Sequence, residues 1–156
     1  MGVSYFAANC LDDALQVFED ALGILRMIDT EHYVIPDVLS NLAVTNFILG
    51  NHELSMKQFE EVLDLQRKLL IGPLLSNSIN SQIINMAHEI IGDVVEVLCD
   101  MSYLSYFSGK LYEASTFLNE AISTHKIIIG QDDTFKKLKK FQKELVAQIE
   151  TRSVGK

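Results

Sequence analysis

A five-residue pattern recurs in one phase along the chain and limits what it can fold into. Phe18-Glu19-Asp20-Ala21-Leu22 matches Phe59-Glu60-Glu61-Val62-Leu63 at a step of 41 residues, and Leu118-Asn119-Glu120-Ala121-Ile122 matches again 59 residues later. Asn9, Gly50 and Gly109 keep the same phase as turn residues, and Ala14, Ser55 and Ala114 as the small residues after them. The logic is steric. Two paired helices need a small residue where their axes come closest and a large one a turn later. Such a pair cannot bury its apolar face alone, so pairs stack. Residues 39–70, LSNLAVTNFILGNHELSMKQFEEVLDLQRKLL, hold the most complete unit, two amphipathic helices about Gly50-Asn51.

The rest of the chain reads as helix around this hairpin. Leu11, Ala14, Leu15, Phe18, Ala21, Leu22 and Leu25 form an apolar stripe at helical spacing. Asn9 to Asp13 reads as a turn and helix start, and Gly2 to Ala8 as the end of a helix whose beginning is missing. Pro36 suits the first turn of a helix over 36–49, which Gly50 ends; Asn51 is placed to cap the next, from His52 to Leu70. Residues 72–78, GPLLSNS, read as a break. Ile79 to Phe107 reads as one long helix, with Gly92-Asp93 the point where a kink or interruption would fall. Gly109-Lys110 is the next turn, Leu111 to Ile129 a helix, and Asp132 to about Thr151 a last helix. The last helix sets Phe135, Leu138, Phe141, Leu145 and Ile149 against Lys136, Lys137, Lys139, Lys140 and Lys143. No strand is expected.

Composition fits a packed chain: 48% of residues are hydrophobic and 22% charged, enough to bury a core. No apolar run approaches the roughly 20 residues a membrane span needs, and no basic-then-apolar start marks a secretory signal. The two cysteines, Cys10 and Cys99, lack metal-ligand spacing and read as reduced, partly buried thiols. The net charge of −8 is uneven. Residues 1–130 hold 17 acidic and 6 basic side chains, a net −11, whereas 131–156 hold 4 and 7, a net +3. An acidic body repels nucleic acid and anionic lipid and favours a basic protein segment.

The spacing resembles the tetratricopeptide repeat. The central unit carries Leu39, Leu42, Ala43, Asn46, Gly50, Ser55, Phe59 and Val62; the first offers Gly2, Tyr5, Ala14, Phe18 and Ala21; the third offers Leu98, Met101, Ser102, Ser105, Gly109, Ala114, Leu118 and Ala121. The 41-residue step, with Pro36-Asp37-Val38 ahead of Leu39, is similar to the longer kinesin-light-chain type. The departures are Asn46 and Ser105 where an aromatic is usual, a missing helix-ending proline, and about 18 extra residues before the third unit. The resemblance implies an all-α fold, a right-handed superhelix of antiparallel helix pairs. About three repeats, the first incomplete, would fill residues 1–130, and a capping helix with a frayed tail 131–156.

No phosphate loop, GxSxG, HExxH or EF-hand loop is present. His32, His52, His88 and His125 are scattered, and His88 and Glu89 diverge by about 100° on a helix, so neither catalysis nor a metal or cofactor is expected. In the family resembled, the first helix of each pair lines a concave groove. Carried over, that face is Asp37, Ser40, Asn41, Val44, Phe47 and Ile48, then Glu96, Cys99, Asp100, Tyr103, Tyr106 and Phe107. Asn41 stands where the long repeats hold a bound peptide's backbone with an amide, which donates and accepts at once; Asp100 takes its place in the third unit. The alternative for Phe47, Tyr103 and Phe107 is packing between units. The resemblance implies a non-catalytic, intracellular, cytoplasmic adaptor for a protein or peptide. The alternative is a structural subunit built permanently into a larger assembly.

Overall fold

The computed structural model describes the backbone of residues 2–30, 32–74 and 81–154, and the side chains of 10–30, 32–71 and 81–153. Among the described residues there are six helices and no strand: α1 (Gly2–Ile28), α2 (Ile35–Ile48), α3 (His52–Leu74), α4 (Ser81–Phe107), α5 (Leu111–Ile128) and α6 (Asp133–Val154). They form two compact units, Met1–Leu75 and Ser76–Lys156. The boundary between the two units falls between α3 and α4.

In the first unit α2 packs against both α1 and α3. Pro36 lies in its first turn, where a missing N–H costs nothing. Ile35, Leu39, Leu42 and Ala43 of α2 are buried with Phe59, Val62 and Leu63 of α3 and Leu22 of α1. In the second unit α5 packs against α4 and α6. Leu111, Ala114, Leu118 and Ile122 of α5 gather with Leu145 of α6, and Phe135, Leu138, Phe141 and Ile149 close around them. The apolar stripe expected on the last helix is thus the packed one.

Both hairpins turn by the same device. Gly50 and Gly109 have φ of +87° and +78°, a left-handed conformation that costs an L side chain more than glycine. Asn51 N–H donates to the Asn46 carbonyl at 2.8 Å and Gly50 N–H to Phe47 at 3.0 Å. Lys110 donates to Ser105 at 2.9 Å and Gly109 to Tyr106 at 3.0 Å. This is the Schellman pattern, which pairs carbonyls that a helix end leaves open.

One position 59 residues apart carries opposite chemistry in the two hairpins. In the first, Ser55 Oγ of α3 donates to the Ala43 carbonyl of α2 at 2.7 Å. In the second, Ser102 Oγ of α4 donates to the Ala114 carbonyl of α5 at 2.8 Å. Ser102 stands where Ala43 stood, and Ala114 where Ser55 stood. All four are fully buried. A carbonyl engaged in its helix still has a second lone pair, so the hydroxyl bridges the axes where they lie closest.

Three expectations need correction. No turn occurs at Asn9 to Asp13, because α1 runs unbroken from Gly2. Asn9 occupies the phase of Gly50 and Gly109 but is not glycine, and Asn and Asp cost a helix interior only tenths of a kcal/mol. The side chains of Gly2 and Tyr5, assigned to the first repeat, lie outside the described residues. α3 passes Leu70 and continues through Gly72 and Pro73 to Leu74; a proline one residue from the helix end removes a single backbone bond. Residues 75–78 of the expected break lie outside the described backbone. The long helix expected up to Phe107 is found as α4, continuous through Gly92-Asp93, since one glycine costs about 1 kcal/mol, less than the flanking turns supply. Cys10 is exposed rather than partly buried. The Asn51 side chain turns back to α2: its Nδ2 donates to Asn46 Oδ1 at 3.0 Å.

The close approach sets a prediction. Ser55→Ala removes one buried hydrogen bond and is expected to cost about 1 kcal/mol. Ala43→Leu drives the helices apart and is expected to cost about 2–3 kcal/mol. Urea unfolding of each variant measures the difference.

Candidate partner-binding faces

The sequence-predicted site residues divide between the two units and are described within each. On α2, Asp37, Asn41, Val44 and Ile48 are exposed at helical spacing, with Ser40 and Phe47 half-buried beside them. Asn41 Nδ2 donates to the Asp37 carbonyl at 2.9 Å, which lays the amide along its own helix. Thr45 Oγ1 donates to the Asn41 carbonyl at 2.8 Å. Phe47 meets the ring of His52 edge-on at 5.0 Å, so the turn supports it from below. The result is a narrow face with an apolar edge, Val44 and Ile48, beside an amide and a carboxylate.

This face is stiffened from behind by an amide chain. Asn46, where an aromatic is usual, is 1% exposed. Its Nδ2 donates to Gln58 Oε1 at 3.1 Å, and its Oδ1 accepts from Asn51. A buried amide is tolerable only when paired; this one joins α2, the turn and α3.

On α4 the equivalent residues are treated differently. Tyr103 stacks on Phe141 of α6 at 4.8 Å with the rings inclined by 19°. Tyr106 meets Phe141 edge-on at 5.7 Å, and its Oη accepts a hydrogen bond from Gln148 Nε2 at 2.8 Å. Both tyrosines therefore serve the packing of α6, although Tyr103 stays partly exposed. Phe107 is exposed and sits edge-on to Tyr106 at 5.4 Å. Glu96 is exposed, whereas Cys99 and Asp100 are half-buried. Burial first, then the neighbouring Glu96 carboxylate, raises the Asp100 carboxyl from 3.8 to about 6. Burial, then Asp100 and Glu96, raises the Cys99 thiol from 9.0 to about 11, so it stays protonated and a poor nucleophile at neutral pH.

His125 has a structural role that its lone position in the sequence did not signal. It is 3% exposed, and its Nε2 lies 2.8 Å from Asp132 Oδ1. The same Oδ1 accepts the Phe135 backbone N–H at 2.8 Å and so caps α6. The Phe135 N–H, then His125, hold the Asp132 carboxyl below its ordinary value. One carboxylate thus joins the end of α5 to the start of α6. At the opposite end of these helices, Gly109, Leu111, Tyr112, Ile149, Arg152 and Ser153 line a cleft of about 630 Å³. Among the described residues no group of three or more His, Cys, Asp or Glu side chains could hold a metal ion.

Helical hairpins with a small residue at the crossing and a glycine turn define a helix-pair repeat protein. Residues 37–70 match the family model of the tetratricopeptide repeat. They span nearly all of α2 and most of α3, so the chain carries a tetratricopeptide repeat built on the hairpin about Gly50. A search of curated proteins finds no match to the chain.

The raised Asp100 carboxyl makes stability depend on pH. A carboxyl whose folded pKa exceeds its unfolded value binds more protons when folded. Stability therefore falls as pH rises from 3.8 to about 6, and the full penalty is present above that window. Asp100→Asn is expected to remove this dependence. After allowance for solvent screening of a half-exposed group, it should stabilise the chain by on the order of 1 kcal/mol at pH 7. Urea midpoints of both proteins at pH 5 and pH 7.5 check this.

Proposed function

We propose that the protein is a non-catalytic interaction scaffold that binds a segment of a partner protein on the first-helix face of its repeat, Asp37, Ser40, Asn41, Val44, Phe47 and Ile48. The observation carrying this reading is the exposed edge of Val44 and Ile48 beside the Asn41 amide, on a helix whose other side is fully committed to core. The Gln58–Asn46–Asn51 amide chain holds that helix in place before any partner arrives, which lowers the ordering cost of binding. The tetratricopeptide repeat is generally a protein-interaction module, and the likeness to the long-repeat type gives Asn41 the role of holding a partner's backbone. On α4, Glu96, Asp100 and Phe107 make a second, more acidic contact surface, with Tyr103 and Tyr106 as its packed support. The acidic body selects a basic segment, and the chemistry calls for no cofactor. The setting is the cytoplasm, where exposed Cys10 stays reduced; no helix among the described residues is long and apolar enough to cross a membrane.

Affinity capture from a cell extract, followed by binding measurements with the recovered partner, tests this. Val44→Glu with Ile48→Glu is expected to weaken the partner by at least about tenfold, roughly 1.4 kcal/mol. Glu60→Gln, on the exposed side of α3, should change nothing, and added salt should weaken binding. A double variant that folds normally and binds as the parent does would refute the proposed face.

A further inference from the structure

α4 and α6 each turn one ridge away from the core, and the two ridges are opposite in charge. At about 100° per residue, Glu96, Asp100, Tyr103 and Phe107 lie on the side of α4 opposite buried Leu98 and Ser105. Lys136, Lys140 and Lys143 lie on the side of α6 opposite buried Leu145, with exposed Ala147 after them. Both ridges advance by steps of four, three and four residues. Ammonium groups cannot be buried without partners, so the α6 ridge faces water or opposite charge and is not a core face.

The two ridges do not neutralise each other within the chain. Among the described residues Glu96 and Asp100 have no cation partner, and Lys140 and Lys143 no carboxylate; Lys136 pairs only with exposed Asp133. Asp100 has the greatest need of a cation, being half-buried beside the Glu96 carboxylate. Yet the two helices are neighbours. Both are antiparallel to α5, so they run the same way, and Tyr103 stacks on Phe141. The lysine ridge points away from that contact.

We propose that a second copy of the chain supplies the missing partners, through a two-fold axis along α4 and α6 that lays the α4 ridge of each copy over the α6 ridge of the other. Glu96 and Asp100 then meet Lys136 and Lys140 of the other copy, Tyr103 offers its ring to Lys143, and Phe107 covers Ala147. Such a contact is self-complementary and closes as a dimer. Net charge does not oppose it where it forms. Ser76–Lys156 carries 10 acidic and 9 basic side chains, a net −1, whereas Met1–Leu75 carries 11 and 4, a net −7. An anionic membrane would attract the lysines but repel the acidic ridge beside them; the chain itself carries both complements in matching steps. This names the basic occupant of the α4 surface and so rests on that surface being a contact, while the α2 face stays open to a partner segment.

Sedimentation of the whole chain in low salt, up to about 200 μM, tests this. A monomer–dimer equilibrium with Kd below about 100 μM is expected, weakened at least about tenfold at about 0.5 M salt, where screening reaches within a few Å. K140E with K143E should abolish the dimer, as should E96K with D100K. An equal mixture of the two variants should restore it, since each supplies the charge the other has lost. E96K alone, at an exposed position, takes the place of the double variant should that one unfold more readily than the parent. A chain that stays monomeric in low salt, a dimer indifferent to both charge reversals, a mixture that fails to associate, or growth beyond the dimer would overturn the proposal. Self-association is read without any partner segment, so its failure is distinct from failure of the α2 face. E96K weakening a captured partner of a monomeric chain would keep the α4 surface and remove the dimer alone.

Discussion

The structure depends on how closely two helices approach at Ala43 and Ser55, and again at Ser102 and Ala114. Only small side chains allow that distance, and a hydroxyl placed there needs an acceptor because water is excluded. The facing carbonyl supplies it. Everything that gives the hairpins their shape follows. The bulky residues Phe59 and Leu118 fill the space that opens a turn away, and Gly50 and Gly109 reverse the chain within the short span the approach permits. The hydroxyl works from either side: α3 provides it in one hairpin and α4 in the other. What is fixed is the property of the pair, small plus small with one donor, rather than the residue at either position.

This explains what could be read in the sequence. The recurring stripes and the glycine turns locate the helices, since period and left-handed backbone are local properties. The all-helical fold, the hairpin about Gly50 and the inward stripe of α6 were legible on those grounds. Continuity of α1 through Asn9 was not. Asn and Asp serve equally as caps and as tolerated interior residues, and the choice rests on which neighbours pack there. The passage of α3 through Gly72 and Pro73 was hidden for the same reason, because end effects are cheap beside packing.

The candidate faces were legible in unequal measure. The exposed side of α2 follows from periodicity alone, because its other side is recognisably core. The fate of Tyr103 and Tyr106 depends on where α6 crosses α4, and the contact between residues 103 and 141 leaves no trace in local spacing. His125 was missed because one histidine makes no pattern; its meaning lies in Asp132, seven residues on, which also caps α6. Asn46 departs from the usual aromatic because Gln58 and Asn51 supply a polar neighbourhood for it, visible only once the turn is closed.

The shared Asp132 carboxylate also has a mechanical consequence. It caps the first turn of α6, and the helix extends about 33 Å from that point, at roughly 1.5 Å per residue. Beyond the cap, α6 is held along its length: Phe141 stacks on Tyr103, Leu145 is buried against α5, and Gln148 bonds Tyr106. Its far end bears Ile149, Arg152 and Ser153, one wall of the 630 Å³ cleft against Leu111 and Tyr112. The cleft therefore inherits its shape from a helix pinned at its start by one carboxylate and along its side by rings.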